Sequence, residues 1–367
     1  MLILSPALTL EEAFQSLDLS TLALLFAMMV VNSSLKFSGF FTKAGAVILK
    51  YARTPSLLLA LIILFSGLFS ALFLNDTVAL MFTPLVLEVV LLAERNPVPY
   101  LLGLAVSANV GSMATIIGNP QNILIGNSSG IPFIRFTGYL VIPAIFGLFI
   151  CWLVILLLFR REFALPLKIP GTLHLRPIYK PLFIKSLVSV GLMLVLIIAG
   201  VQVTLAALSA SALLLFTRRI KPQRVFREID ISLLVFFSGL FIITSAVWKL
   251  GFYNTLIERL LPYLQNNLPL FGIFSAFLSN LISNVPAVML LSPLIARFPS
   301  QELAWIFLAM SSTLAGNLTL LGSVANLIVA ESAESRGYRL SFLTYLKVGF
   351  PVTILTLAVS TLYLILL

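Results

Sequence analysis

Charge is scarce in this chain. Of 367 residues only 23 are Lys or Arg and 13 are Asp or Glu, so charged residues make up 10%, against about a quarter in soluble domains. That shortage excludes a soluble enzyme and a disordered chain. Cysteine is almost absent. The single Cys151 excludes a disulfide framework and any multi-cysteine metal site. The one histidine, His174, falls in a polar loop, so no His is available for a membrane-embedded Ser–His pair. Neither GxxxxGK[ST] nor HExxH occurs, which excludes an ATP-driven pump and an intramembrane zinc protease. No basic start followed by a cleavage site marks a signal peptide. The net charge of +10 raises the question of nucleic acid. The basic residues, however, sit in short loops between apolar runs, a pattern that orients a membrane protein rather than binding nucleic acid.

What is abundant is apolar surface: 60% hydrophobic residues and a mean hydropathy of +1.11. A bilayer core needs about 20 apolar residues per helix. Runs of that order occupy residues 19–38, 98–129, 136–159, 183–201, 202–217, 231–249, 302–330 and 343–367. Residues 55–93 form one apolar stretch broken at Asn75-Asp76-Thr77, and residues 268–297 another broken at Ser283-Asn284-Val285-Pro286. Short arms that meet at a polar break suit re-entrant hairpins. The first stretch is also long enough for two true spans. With the N-terminus outside, only Arg135, Lys249, Arg259 and Arg297 fall on the outer side, and all other basic residues fall inside. Both termini are then expected outside.

The sequence also repeats itself. Asp18–Phe40 aligns with Asp230–Phe252, NDTVALMFTPL from Asn75 with NVPAVMLLSPL from Asn284, and TIIGNPQNILI from Thr115 with TLLGSVANLIV from Thr319. Pro143 and Pro351 follow in the same order. Each pair lies about 210 residues apart. The orientation of the segments makes the halves inverted. The expected architecture is therefore an all-α polytopic membrane protein of inverted-topology repeats, with two re-entrant hairpins and two broken helices. Such repeats mark secondary transporters that hold substrate near the midplane. The expected division is an N-terminal segment (1–17), repeat 1 (18–160, hairpin 55–93, broken helix 98–129), a cytoplasmic loop with two connecting scaffold spans (161–229), and repeat 2 (230–367, hairpin 268–297, broken helix 302–330).

Polar groups at membrane depth are costly and therefore informative. Asn75, Asp76 and Thr77 either cap the second hairpin arm or form a substrate or ion site at a free helix N-terminus. Asp76 is the candidate proton carrier. In ANVGSMATIIGNPQN, from Ala108, Pro120 breaks the helix at Asn119. Carbonyls exposed there can take Na⁺. Asn109, Ser112, Thr115, Gly118, Asn119, Pro120 and Asn122 are the candidates in this half. Asn317, Thr319, Gly322, Ser323 and Asn326 are their counterparts, with Ser283 and Asn284 at the second tip. The glycines and Ser112 also fit close helix packing. Na⁺ is expected through Asn75, Asn119 and Asn284. No buried Lys or Arg is available to neutralise an anion, so an anion would rely on helix N-termini, amides and co-bound cations. A neutral oxyacid would need hydrogen bonds alone.

At the two hairpin tips and the GNPQN break the sequence resembles the ion transporter superfamily with the citrate-transporter-like domain. This group includes divalent anion–sodium symporters, arsenite permeases, NhaD-type antiporters and bacterial anion-permease-like proteins. The resemblance implies a scaffold and a mobile transport domain, often in a homodimer, in the bacterial inner membrane. It implies transport of a small inorganic or organic anion or neutral oxyacid, with Na⁺ or H⁺ as coupling ion, no cofactor and no enzymatic activity. A Na⁺/H⁺ antiporter or an arsenite-type efflux permease is the alternative. In the symporters each tip reads Ser-Asn-Thr. Here Asn75, Ser283 and Asn284 match, whereas the first tip carries Asp76 and the second lacks Thr. The Asn-Asp pair is more similar to the arsenite permease and antiporter branches. Residues 1–17 cannot supply a counterpart to the two spans within 183–217, so either the scaffold is reduced or the natural start lies upstream.

Overall fold

The computed structural model describes residues 8–167, 178–216, 222–251 and 259–367, and within them every regular element is a helix. Seven helices are long and apolar enough to cross a membrane. Each repeat opens in the same way. Asp18 caps the helix Leu19–Ser38 by accepting the Thr21 N–H, and Asp230 caps Ile231–Lys249 by accepting the Leu233 N–H, with nearly identical cap dihedrals. Both helices stop at a glycine in the left-handed region, Gly39 (φ +83°) and Gly251 (φ +70°), where a side chain would be strained.

Two ion pairs at opposite ends establish that these helices run antiparallel. Lys36, at the end of the first, lies 2.5 Å from Glu228, just before the second. Lys249, at the end of the second, lies 2.6 Å from Glu12, just before the first. The repeats are thus inverted. The Lys249 ammonium and the Thr9 backbone amide hold the Glu12 carboxyl far below its ordinary range, at about 2, so the pair outlasts most carboxylates as pH falls.

The first hairpin consists of the helices Pro55–Leu72 and Asn75–Leu92. Each is 18 residues, about 27 Å, and both are long enough by length alone to cross. Their junction is nonetheless buried, with Leu74 3% and Asn75 4% exposed. The Asn75 N–H donates to the Gly118 carbonyl (2.9 Å), which ties the tip to the break of the first broken helix. The second hairpin pairs Leu268–Ile282 with Asn284–Leu291, the latter continued as a 3-10 turn over Ser292–Arg297. Pro293 begins this turn, and its counterpart Pro84 lies within the second arm of the first hairpin. Ser66 and Ser70 of the first hairpin recur as Ser275 and Ser279 of the second, all buried. The broken helices are Pro97–Ser112 with Pro120–Ser129, and Gln301–Ala315 with Val324–Glu334. Each repeat closes on a long helix with an internal proline, Phe133–Leu158 (Pro143) and Phe342–Leu366 (Pro351), and these two pack together.

Two elements differ from the sequence reading. Residues 40–51, expected as loop, form an amphipathic helix, Phe40–Tyr51. Its aromatic face docks on the first hairpin, with Phe40 4.9 Å from Phe69 and Phe41 5.7 Å from Phe82 between ring centroids. The run 202–217, expected as a span, gives a helix of only 13 residues, Val203–Leu215. That is about 20 Å and short for a bilayer. With Lys180–Ile198 it packs on Leu19–Ser38.

The first hairpin and the first broken helix approach closely at Gly67 and Gly111. A methyl group on Gly111 would sit 2.1 Å from the Gly67 carbonyl oxygen, whereas one on Gly138 would meet nothing within 4 Å. Gly111→Ala should therefore lower stability by about 1–3 kcal/mol, read as a lower melting midpoint in detergent, with Gly138→Ala unchanged. Equal midpoints for both variants would refute this close packing.

Candidate functional site

The site is built from amides. Nδ2 of Asn326 donates to the carbonyls of Gly316 (2.8 Å) and Thr319 (3.3 Å). Carbonyls only accept, so the Asn326 amide has one permitted orientation. Its Oδ1 faces Asn109 and accepts from Asn109 Nδ2 (3.1 Å). Asn317 is oriented likewise, its Nδ2 on the Val106 carbonyl (3.2 Å) and its Oδ1 accepting from the same Asn109 Nδ2 (2.9 Å). Both Asn109 donors thus go to the second repeat, and its Oδ1 accepts from Ser323 Oγ (2.9 Å) and Asn75 Nδ2 (3.0 Å). Asn75 is the end of the relay, with one Nδ2 hydrogen committed and its Oδ1 left over. That oxygen has no hydrogen-bond partner.

The first repeat secures its own break by the same device. Asn122 Nδ2 donates to the carbonyls of Ser112 (3.2 Å), Met113 (3.3 Å) and Thr115 (2.9 Å), the counterparts of those that Asn326 holds. Asn119 caps the second half, its Oδ1 accepting the Asn122 N–H (2.8 Å) while its Nδ2 donates to Ser112 Oγ (2.9 Å) and Thr313 Oγ1 (3.3 Å). Ser112 Oγ donates to the Asn109 carbonyl (2.8 Å), and Thr115 Oγ1 bonds the Ala71 carbonyl of the hairpin. Gly118 and Gly322 are there for space. A Cβ on either would come within 2.2 Å or 2.9 Å of the carbonyl of Ser112 or Gly316.

The hairpin tips are left open. Both second arms start without a side-chain cap, so Asn75, Asp76 and Thr77 do not cap their helix. The Asn75 N–H goes to the Gly118 carbonyl and Pro286 has none, but the backbone N–H groups of Asp76, Thr77, Asn284 and Val285 stay available and carry the positive ends of the helix dipoles. Ser283 at the second tip holds φ +81°, a strained position for a non-glycine residue. The two tips and both breaks meet around one cavity of about 60 Å³. It is lined by Asn75, Asp76, Pro120 and Gln121 from the first repeat and by Ser283, Asn284 and Ser323 from the second. Asn284, like Asn75, is buried with an unpartnered Oδ1. No Lys or Arg lines this space.

A second cleft, of about 150 Å³, shares Asp76 and Pro120 and runs past Asn32, Thr77 and Asp230 to the Lys36–Glu228 pair. It reaches the tip from that end of the protein. The Asp76 carboxyl is half-buried and makes no hydrogen bond or ion pair among the described residues. The sole cation lining the cleft, Lys36, is paired with Glu228. The polar path is therefore negative.

The structure gathers all the expected residues around the cavity but divides their work. Asn75, Asp76, Pro120, Ser283, Asn284 and Ser323 line it, and Thr77 lines the adjoining cleft. Asn109, Asn317 and Asn326 form the relay behind it. Asn119, Asn122, Ser112, Thr115, Thr319, Gly118 and Gly322 hold the breaks. For the expected Na⁺ ligands, Asn75 and Asn284 each offer an unused oxygen, whereas Asn119 has both ends of its amide engaged. Sequence reasoning passed over Asn32, Gln121, Thr313 and Asp230. Asn32 donates to Thr77 Oγ1 (3.1 Å) and keeps an unpartnered Oδ1, and Gln121 reaches Thr313 Oγ1 (3.3 Å). Asn32 in an apolar run and Gln121 inside the GNPQN motif were the available signals. Thr313 and Asp230 gave none beyond an ordinary helix hydroxyl and an N-cap. Among the described residues no cluster of three His, Cys, Asp or Glu could hold a metal ion.

Fold and site define a multi-pass membrane protein whose inverted repeats enclose a polar midpoint. The chain belongs to the citrate transporter family CitMHS, which matches residues 1–310. It is 31% identical to the silicon efflux transporter LSI3 of Oryza sativa subsp. japonica, covering 98% of this chain and 89% of that protein. A Dictyostelium discoideum protein carrying the arsB transporter name is 25% identical over 95% of this chain and 83% of its own length. The crystal structure of the Alcanivorax borkumensis YdaH transporter, described as having an unusual topology, shares the fold with a TM-score of 0.61. The match is at 16% identity and covers 94% of this chain and 84% of that one.

Of the three carbonyls held by Asn122, only that of Thr115 has another donor among the described residues, the Gly118 N–H at 3.5 Å. Asn122→Ala should destabilise the protein by about 1–3 kcal/mol, read as a lower melting midpoint. Asn127→Ala removes one half-buried hydrogen bond, to Thr21 Oγ1, and should shift the midpoint less. The reverse order would show that the amide clasp does not secure the break.

Proposed function

We propose that this protein is a secondary active transporter that moves a small oxyanion or neutral oxyacid across the inner membrane by alternating access, coupled to Na⁺ or H⁺. The observation that carries this reading is the convergence of both hairpin tips and both broken helices on one cavity, where Asn75, Gln121 and Asn284 stand beside the apolar Leu233, Phe236 and Phe237. Helix N-termini and amides at mid-membrane bind small polar solutes without a charged side chain. The inverted repeats supply two related conformations of similar energy. The cleft from Lys36 to Asp76 is the access path in the state described, and the distribution of basic residues supports its opening on the cytoplasmic side with both termini outside. Residues 161–229 act as connecting scaffold. The relatives named for silicon efflux and for arsB support an oxyacid cargo. Like the rest of the family resemblance, a homodimer belongs to this proposal.

Asp76 favours a second reading, a Na⁺/H⁺ antiporter without an organic substrate, because an unpartnered carboxyl in a polar cleft can carry the exchanged ion.

Melting of the purified protein against a panel of oxyacids and oxyanions, with and without Na⁺, at pH 6 and pH 8, separates these readings. A ligand of the folded state stabilises by RT ln(1+[L]/Kd), about 2.7 kcal/mol at a hundredfold excess over Kd. A solute-dependent shift is expected. A shift with Na⁺ or pH alone, and none with any solute, would favour the antiporter. In proteoliposomes Asp76→Asn should abolish the ion dependence of uptake with little change in melting. Unchanged coupling would remove Asp76 from the mechanism.

A further inference from the structure

The orientation of the Asn75 amide is not a free choice. It is imposed by the carbonyls of Gly316 and Thr319 through Asn326 and Asn109, and the Val106 carbonyl imposes the same answer through Asn317. One Nδ2 hydrogen of Asn75 is committed to Asn109, and its Oδ1 stands as a fixed acceptor without a partner for whatever enters the cavity. Asn284 adds a second acceptor without a partner. Both residues are more than nine-tenths buried, 4% and 8% exposed. The uncapped N-termini of the two second arms contribute the opposite chemistry, backbone donors.

Few ligands satisfy both sets together. A fully ionised oxyanion only accepts, so its oxygens would suit the helix N-termini and the Asn284 amide, which no hydrogen bond holds in one orientation, but would leave the fixed Asn75 oxygen facing lone pairs. A bare cation suits the amide oxygens but meets the positive helix ends. A hydroxyl group does both, donating to an amide oxygen and accepting from a backbone N–H. The Asp76 carboxyl on the cavity wall and the absence of Lys or Arg there weigh further against an anion.

We propose that Asn109 is a positioning residue that fixes the Asn75 oxygen as the face offered to ligand, and so makes the tips selective for an uncharged, hydroxyl-rich oxyacid over an ionised oxyanion of similar size. The inference rests on the transporter reading above and names the substrate class of the same site.

The test is titration of the full chain in detergent with boric acid and orthosilicic acid, against sulfate and selenate, which carry no hydroxyl at pH 7, with Na⁺ or choline as the salt cation. The neutral acids should stabilise the wild type in either salt, and the two anions should not. Asn109→Leu removes both the acceptor for Asn75 and the two donors that orient it, which frees the Asn75 amide to turn its donor to the ligand. Its neutral-acid affinity should fall at least tenfold while sulfate affinity stays level or rises. A purely structural role would weaken every ligand together. Should Asn109→Leu fail to fold, Asn75→Leu serves, since it removes the acceptor oxygen from the cavity wall and should lower neutral-acid affinity at least tenfold while sulfate affinity stays level. Wild-type binding of sulfate or selenate at equal or higher affinity overturns the inference while leaving the transporter reading intact, as does a parallel loss for all ligands in Asn109→Leu. A shift with Na⁺ alone also overturns the inference and favours the antiporter. No shift with any probe, together with no uptake into proteoliposomes, overturns the transporter reading and this inference with it.

Discussion

Breaking a helix inside a bilayer frees carbonyls and amides that water cannot reach, and each must be satisfied by the protein itself. In this molecule that constraint is met by asparagine. An asparagine amide can clasp several carbonyls with one end and still hold an acceptor in a set direction with the other. Asn122 closes the first break and Asn326 the second, on equivalent carbonyls. Once the breaks are closed, the remaining amide valences join the two halves, and Asn109 is where they meet.

The same economy explains the mixed character of the site. Breaks that are fully satisfied are rigid, and the glycines beside them let backbone approach backbone. The hairpin tips are the reverse. They end without side-chain caps, with unpartnered amide oxygens on Asn75 and Asn284. Buried polar atoms without partners are destabilising, and these two differ from the other unpartnered atoms in lining the cavity, where the proposed ligand would supply the missing partner. Closed breaks behind open tips amount to a preorganised site, with orientation set before anything binds.

Charge is arranged with equal restraint. Ion pairs tie the ends of the two antiparallel first helices at the protein surface, whereas the interior path holds carboxylates without a free cation. Long-range attraction of an anion therefore has no source near the cavity. In the proposed transport reading, recognition then rests on hydrogen-bond direction, a stricter filter than charge because donors and acceptors cannot be exchanged.

Much of this was legible in the chain of residues. Apolar run lengths, the side preference of Lys and Arg, and the recurrence of Asp18, Asn75 and Thr115 in Asp230, Asn284 and Thr319 gave the helical class, the inverted halves and the places where they break. These features are local or periodic, so a linear reading can detect them. The Phe40–Tyr51 helix escaped because its burial depends on the aromatic face of a hairpin that must first exist. The division of labour among the asparagines was equally hidden. Asn119 and Asn75 read alike as polar residues at a break, yet one has its whole amide engaged and the other keeps an oxygen free. Which is which follows from carbonyls contributed by distant segments, Val106, Gly316 and Thr319 among them. Sequence determined that amides gather at membrane depth; only the tertiary structure decided which way each one faces, because a hydrogen bond has direction and its partner comes from elsewhere in the chain.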